Sequence, residues 1–265
     1  MKTRVISAAI LIPVVVAAIV IGGWVYTGLI VLAVILAGLE YVRMLQRHNF
    51  APALWLLWAG TLLWIGDFHL GGGAWLVPGL TLLTLTTATW YLFTQKSAPT
   101  ASWALTLAGA LYLGLGAYYL LALRALPAGL WWTLIALPGV WIADSGAYWI
   151  GRRWGTHKLA PSISPKKSWE GYVAGVVSGI LGAALLSLLW NAFADPGLSV
   201  GLAALLGGLL AVLTPLGDLF ISMIKREVGV KDSGALIPGH GGVLDRIDSL
   251  LWAGIIAWYV LILLG

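Results

Sequence analysis

The residues able to do chemistry fall in two stretches of the C-terminal half. One runs from Asp218 to Asp248 and holds Ser222, Lys225, Arg226, Lys231, Asp232, His240, Gly241, Gly242, Asp245 and Arg246 between those two carboxylates. The other runs from Asp144 to Gly171 and holds Arg152, Lys166, Lys167 and Glu170. Carboxylates are hard oxygen ligands, and Mg²⁺ is commonly held by one or two of them together with substrate phosphates. Lys and Arg neutralise phosphate oxygens, and glycine-rich turns let backbone N–H groups approach the same oxygens. Phosphoryl or nucleotidyl transfer needs positioning and charge neutralisation more than covalent chemistry. The two stretches therefore predict a phosphate-handling metal site. The chain has no cysteine, which excludes disulfide frameworks, thiolate metal sites and thiol catalysis.

The elements that must position these residues are membrane helices. Of 265 residues, 60% are hydrophobic and 9% charged, against about 25% charged in soluble domains. This balance excludes a soluble globular domain, a disordered chain and a coiled coil, and predicts an all-α integral membrane protein. Charged residues divide the sequence into uncharged windows, among them 5–39, 49–66, 68–95, 97–123, 125–143 and 171–194. A spanning helix needs about 20 mostly apolar residues. The first window is long enough for two helices, broken at Gly22-Gly23. Nine spans are predicted: 4–21, 24–45, 51–66, 74–94, 101–123, 130–150, 170–192, 199–224 and 246–264. The absence of period-two alternation favours helices over a barrel. The basic start, Met1-Lys2-Thr3-Arg4, runs into a second apolar stretch with no small-residue cleavage site, so it is read as an uncleaved first span.

With nine spans and a cytoplasmic N-terminus, 14 of the 15 Lys and Arg fall on the cytoplasmic side, with only Arg124 outside. The positive-inside rule supports that topology. The formal charge of +5 thus speaks for orientation and not for nucleic acid. Only Glu40 and Asp67 are acidic in the first 130 positions. Residues 1–128 are read as a five-span scaffold and 129–265 as a four-span catalytic region with cytoplasmic loops 151–169 and 225–245, together one membrane domain.

Depth is the next constraint. Asp144 precedes Arg152 by eight residues and Asp218 precedes Lys225 by seven, in helices that both run inward. At 1.5 Å per residue each carboxylate lies about 10–12 Å below the basic end of its helix. Ionisable groups at such depth face the protein interior or a water-filled cavity and have partners. Asp218, Ser222 and Lys225 stand at i, i+4 and i+7, one stripe. Asp245 and Asp248 open the last helix at i, i+3, near its N-terminal dipole. Four carboxylates can thus converge on one cytoplasm-facing cavity. Plainer roles compete: Arg43, Arg47 and Lys96 as interfacial anchors, Glu170 as a partner of Lys166 or a cap of the seventh helix, Asp232 as an orienter of Lys231 or Arg226. Glu40 and Asp67 receive no role.

The run from Ser222 through Lys225-Arg226, Lys231-Asp232 and His240-Gly241-Gly242 to Asp245-Arg246 and Asp248 closely resembles the signature of the phosphatidate cytidylyltransferases. A second stretch, Ala143-Asp144 through Gly151-Arg152 to Ser164-Pro165-Lys166-Lys167-Ser168-Trp169-Glu170-Gly171, is similar to the same family, with Ser168 where Thr is common. The resemblance is specific over about 140–250. It implies that CTP and phosphatidate give CDP-diacylglycerol and pyrophosphate, a step of phospholipid biosynthesis, with Mg²⁺ required as one ion or more. It further implies a multi-pass protein of the inner membrane with its site facing the cytoplasm, and it accommodates a homodimer. In that setting Asp218, Asp245 and Asp248, with Asp144 next, would ligate metal. Lys225, Arg226, Lys231 and Arg246 would hold phosphates, helped by Arg152, Lys166 and Lys167. Ser222 and His240 would donate hydrogen bonds, and Gly241 and Gly242 would shape the turn. Two rivals remain: a CTP-dependent lipid kinase, which would release CDP, and an ion-coupled transporter using Asp144 and Asp218 as a relay. Transport would favour broken helices in repeated halves, and no repeat is visible.

Overall fold

The computed structural model describes residues 2–94, 97–239 and 241–265. Its α-helices are α1 (Lys2–Ile21), α2 (Gly23–Gln46), α3 (Leu54–Gly66), α4 (Leu76–Thr94), α5 (Pro99–Ala125), α6 (Gly129–Trp154), α7 (Trp169–Ala194), α8 (Val200–Glu227) and α9 (Leu244–Leu264). A π-helical turn, Asp67–Gly71, extends α3. These helices follow the nine predicted spans closely. Six of them, α2, α4, α5, α7, α8 and α9, are long and apolar enough to cross a membrane among the described residues. The chain is a multi-pass membrane protein. Nine such helices were expected. α3 has only 13 residues, and in α6 Trp131, Trp132, Pro138 and Asp144 dilute the apolar content.

One element departs from an all-helical reading. Between α6 and α7 the chain forms a two-stranded antiparallel sheet, β1 (Lys158–Ala160) and β2 (Ser164–Ser168), pairing Lys158 with Ser168 and Ala160 with Ser164. It carries Lys158, Lys166 and Lys167 and sits in the basic stretch 152–168, where periodicity carries no strand signal.

The chain packs as two compact units, Met1–Leu121 with Ile224–Ile247, and Ala122–Met223 with Asp248–Gly265. This division by compactness differs from the one expected at 128/129, because α5, α8 and α9 each contribute residues to both units.

In the first unit α2 is the central buried helix, with Tyr26, Ile30, Val34, Ala37 and Tyr41 turned inward. Glycines permit close approach: a Cβ at Gly109 would meet Tyr41 and Leu57 at 2.7 Å. The Tyr41 hydroxyl donates to the Leu105 carbonyl of α5 (3.1 Å).

The second unit is packed on small residues. Gly171, Gly175, Gly179, Ala183 and Ser187 form the buried face of α7 at a four-residue interval. A Cβ at Gly171 would lie 2.7 Å from the Ala147 carbonyl of α6, and one at Gly179 would lie 2.8 Å from both the Gly207 carbonyl and the Ala211 Cβ of α8. The large apolar residues lie on the opposite face, where Leu181 and Leu185 are 63% and 65% exposed. Small residues within and bulky ones outward is the arrangement expected where lipid is the solvent, because dispersion between close backbones replaces the hydrophobic effect as the cohesive force.

Candidate active site

In the first unit the site is built around one carboxylate. α8 ends in a left-handed cap at Gly229 (φ +71°). Gly229 N donates to the Arg226 carbonyl (3.1 Å) and Val230 N to the Lys225 carbonyl (2.8 Å), the paired bonds of a Schellman end. The Arg226 guanidinium adds a bond to the Val230 carbonyl (3.0 Å). The chain then turns sharply, with Ile237 N bonded to the Gly241 carbonyl (3.0 Å) and positive φ at Gly239 and Gly241. His240, expected to donate to phosphate, lies outside the described residues.

The turn delivers the chain to α9, whose second residue is Asp245. Lys225 Nζ donates to Asp245 Oδ1 at 2.6 Å, with the two side chains 8% and 7% exposed. Asp245 Oδ2 accepts from Ser233 N (2.9 Å), Ser233 Oγ (3.0 Å) and Gly242 N (3.1 Å). Both oxygens are thus engaged, and the carboxylate holds Lys225 and both limbs of the loop together. Lys231, Asp232 and Arg246 are exposed.

Sequence reasoning missed a further member of this group. Glu40 of α2 is 3% exposed. Its Oε2 accepts from Leu244 N (2.9 Å) and lies 3.2 Å from Ser233 Oγ. A lone carboxylate at the end of a 35-residue uncharged window is itself a signal for a functional group. Its partners stand about 200 positions away, so spacing could not supply them.

In the second unit the corresponding group centres on Asp218 of α8. Lys167 Nζ pairs with Asp218 Oδ2 at 2.7 Å, and Ser222 Oγ donates to Asp218 Oδ1 at 3.2 Å. Of the stripe expected from Asp218, Ser222 and Lys225, the first two meet, while Lys225 is bonded to Asp245. Pro215, inside α8, has no N–H to offer the Ala211 carbonyl four residues before it. The Tyr172 hydroxyl donates to the Val212 carbonyl (2.9 Å), and Lys167 Nζ lies 3.4 Å from the Pro215 carbonyl. Asp144, on the exposed side of α6, lines a small cleft with Tyr172, Thr214 and Pro215.

Lys167 owes its place to the hairpin. Ser168 Oγ accepts from Gly171 N (3.2 Å) and caps α7. Glu170 engages the chain before the hairpin and not Lys166. It accepts from Thr156 N (3.2 Å), Thr156 Oγ1 (2.7 Å) and His157 N (3.2 Å), and it pairs with His157 Nδ1 (2.6 Å), closing the base of the hairpin. The competing donors are nearer: residues 156–157 run past the start of α7, while Lys166 is exposed on β2. Arg152 donates to the Tyr148 hydroxyl one turn back (3.1 Å).

Asp248 is buried (4% exposed), with Oδ1 accepting from Ser249 N (2.6 Å). Gly217 brings α8 against this turn of α9, since a Cβ there would lie 3.0 Å from the Asp248 carbonyl oxygen. α6, α8 and α9 thus carry Asp144, Asp218 and Asp248 within one unit. No group of three or more acidic or histidine side chains gathers around a single point among the described residues. The donor chemistry still suits Mg²⁺, which needs only one or two carboxylates when phosphates complete its shell. Asp218, with its side chain 37% exposed, is more accessible than Asp245 or Asp248.

The sequence profile of the cytidylyltransferase family matches residues 2–264. A phosphatidate cytidylyltransferase of Synechocystis sp. is 35% identical over 98% of this chain and 96% of its own length. One from Mycobacterium bovis is 42% identical over 133 residues, which is 50% of this chain and 42% of that protein. One from Staphylococcus haemolyticus is 42% identical over 141 residues, 53% of this chain and 52% of that protein.

Proposed function

We infer that this chain, which belongs to the cytidylyltransferase family, transfers the cytidylyl group of CTP to phosphatidate, giving CDP-diacylglycerol and pyrophosphate for phospholipid synthesis. The observation that carries this reading is that the match takes in both stretches on which the chemistry depends. In this reaction a phosphate oxygen of the lipid attacks the α-phosphorus of CTP, and the bond from that phosphorus to the β-phosphate bridging oxygen breaks. The nucleophile is anionic at neutral pH, so no general base is needed. The obstacle is bringing two polyanions together, which calls for cations and donors held in place beforehand.

Within the second unit, Lys167 and Ser222 present an ammonium and a hydroxyl on either side of Asp218, with Arg152 and Lys166 exposed nearby in sequence. These groups suit phosphate oxygens. Within the first unit, Lys225, held by Asp245, and the exposed Arg226, Lys231 and Arg246 suit the same task. Mg²⁺ is the proposed cofactor, held by Asp218 with Asp144 or Asp248. When bound, it would supply positive charge against the phosphates and the leaving pyrophosphate. Asp245, with every bond satisfied inside the protein, suits anchoring of Lys225 better than ligation. The positive-inside distribution supports an inner-membrane protein whose site faces the cytoplasm, where CTP is found. A homodimer remains part of the proposal only through the family resemblance.

The test is to incubate the purified protein in detergent with radiolabelled CTP, phosphatidate and Mg²⁺ and to identify both products. Pyrophosphate with CDP-diacylglycerol supports the reading. Release of CDP would replace it with the lipid kinase.

A further inference from the structure

We propose that Glu40, on the second helix and outside both chemical stretches, is a positioning residue that sets the Asp245–Lys225 pair for the transfer. The proposal rests on the function just inferred.

Three observations carry it. The first is where the Glu40 carboxylate spends its bonds. The N–H of Leu244 is the first of α9 and has no partner within its own helix. Glu40 Oε2 accepts from it at 2.9 Å, so α9 is anchored at its positive end by a carboxylate from 204 positions earlier. An acceptor at that position meets one of the donors that the first turn of a helix cannot satisfy itself.

The second is what Glu40 reaches through Ser233. The Ser233 hydroxyl lies 3.2 Å from Glu40 Oε2 and 3.0 Å from Asp245 Oδ2, while the Ser233 amide donates to the same Asp245 oxygen at 2.9 Å. Glu40, Ser233, Asp245 and Lys225 therefore form one chain of polar contacts. It starts in the apolar scaffold and ends on the ammonium proposed to meet phosphate.

The third is that the loop is shaped around this side chain. A Cβ at Gly234 would lie 2.9 Å from Glu40 Cγ and run into Oε1, and a Cβ at Gly242 would run into Glu40 Oε2 and Ser233 Oγ. Neither glycine has a positive φ among the described residues, so room for the carboxylate, and not backbone conformation, is what these two positions supply. A buried carboxylate is costly in a membrane protein. An apolar residue would fill the same space for scaffold purposes alone, but it could not hold the loop and α9 at once.

The experiment uses the full chain in detergent with Glu40→Ala, Glu40→Gln, Ser233→Ala and the Glu40→Ala/Ser233→Ala double variant. Two readouts are taken: hydrogen–deuterium exchange over residues 231–247, and kcat/KM for CTP. Glu40→Ala should speed exchange of that segment at least tenfold and lower kcat/KM about 10- to 100-fold. Glu40→Gln, which keeps an acceptor oxygen for Leu244 N, should recover part of both. The double variant should be no worse than the worse single one within threefold, because the two residues act through one route. Unchanged exchange, multiplying losses, or a lowered melting temperature with wild-type kcat/KM would overturn the proposal. Should Glu40→Ala fail to fold, Glu40→Gln and Ser233→Ala carry the same comparison, and unchanged exchange in both overturns it. A wild-type protein that makes no CDP-diacylglycerol would refute the inferred function, whereas the exchange readout tests the tether independently of turnover.

Discussion

Replacing Asp245 by Asn separates the pair's structural share from its chemical one. The Lys225 and Asp245 side chains are 8% and 7% exposed and 2.6 Å apart. An amide must place its NH₂ either toward the Lys225 ammonium or toward the donors Ser233 N and Gly242 N, so donor faces donor in both orientations. Breaking a buried ion pair from one side costs about 3–5 kcal/mol. That corresponds to about 150- to 5,000-fold in the opening equilibrium of the segment. The neutral bonds from Ser233 and Gly242 survive if the amide oxygen faces them, which places the expected loss nearer the lower value. The assay is hydrogen exchange at the Ser233 and Gly242 amides in detergent, since both donate to Asp245. Adding Lys225→Met should restore at least half of the lost protection, because the orphaned ammonium is then gone. Protection changed by less than threefold in Asp245→Asn, or losses that simply add in the double variant, would refute the reasoning. Turnover alone could not decide, because both the anchoring and the metal roles predict its loss.

Asp218→Asn should behave differently. Its pair with Lys167 is 27% and 37% exposed on the two sides, where ion pairs are worth about 0–1 kcal/mol. The melting temperature should therefore stay near wild type while pyrophosphate release is abolished; activity above a tenth of wild type would count against Asp218 as the central carboxylate. Ser168→Ala removes the cap of α7 and should cost about 1 kcal/mol, read as faster exchange of the Gly171 amide with little change elsewhere. Chelation by EDTA should stop turnover and added Mg²⁺ should restore it, with full activity in EDTA as the opposing result.

The helical architecture was legible because charge is so scarce: each run of about 20 uncharged residues has little choice but to form a helix in lipid. The local stripe at Asp218 and Ser222 was legible for the same reason that any i, i+4 pair is, since helical geometry alone brings the two together. The partners of Lys225 and Asp245 were not. Both were read as facing substrate or metal, yet the loop that joins them folds back and pairs one with the other across 20 positions. Glu40 lay further out of reach, because only tertiary packing brings α2 to the start of α9. The hairpin at 158–168 was missed because alternation has no meaning in a solvated basic loop, and there Glu170 found Thr156 and His157 through the turn itself.

The brevity of α3 bears on the surrounding lipid. Thirteen residues make a rod of about 20 Å, while hydrocarbon is about 30 Å thick. The π-helical turn lengthens it and ends at Gly72, where the chain adopts a left-handed conformation and the amide returns to the Asp67 carbonyl (2.8 Å). Asp67, wholly buried, takes up the Trp75 amide (2.9 Å). The two bonds tie the reversal to itself. A rod this short, set in hydrocarbon, draws the adjoining leaflet into a dimple, at a cost of fractions of a kcal/mol per Å. Membranes of longer-chained lipids would resist that dimple more, which ties the comfort of the scaffold to the acyl length of the lipids around it.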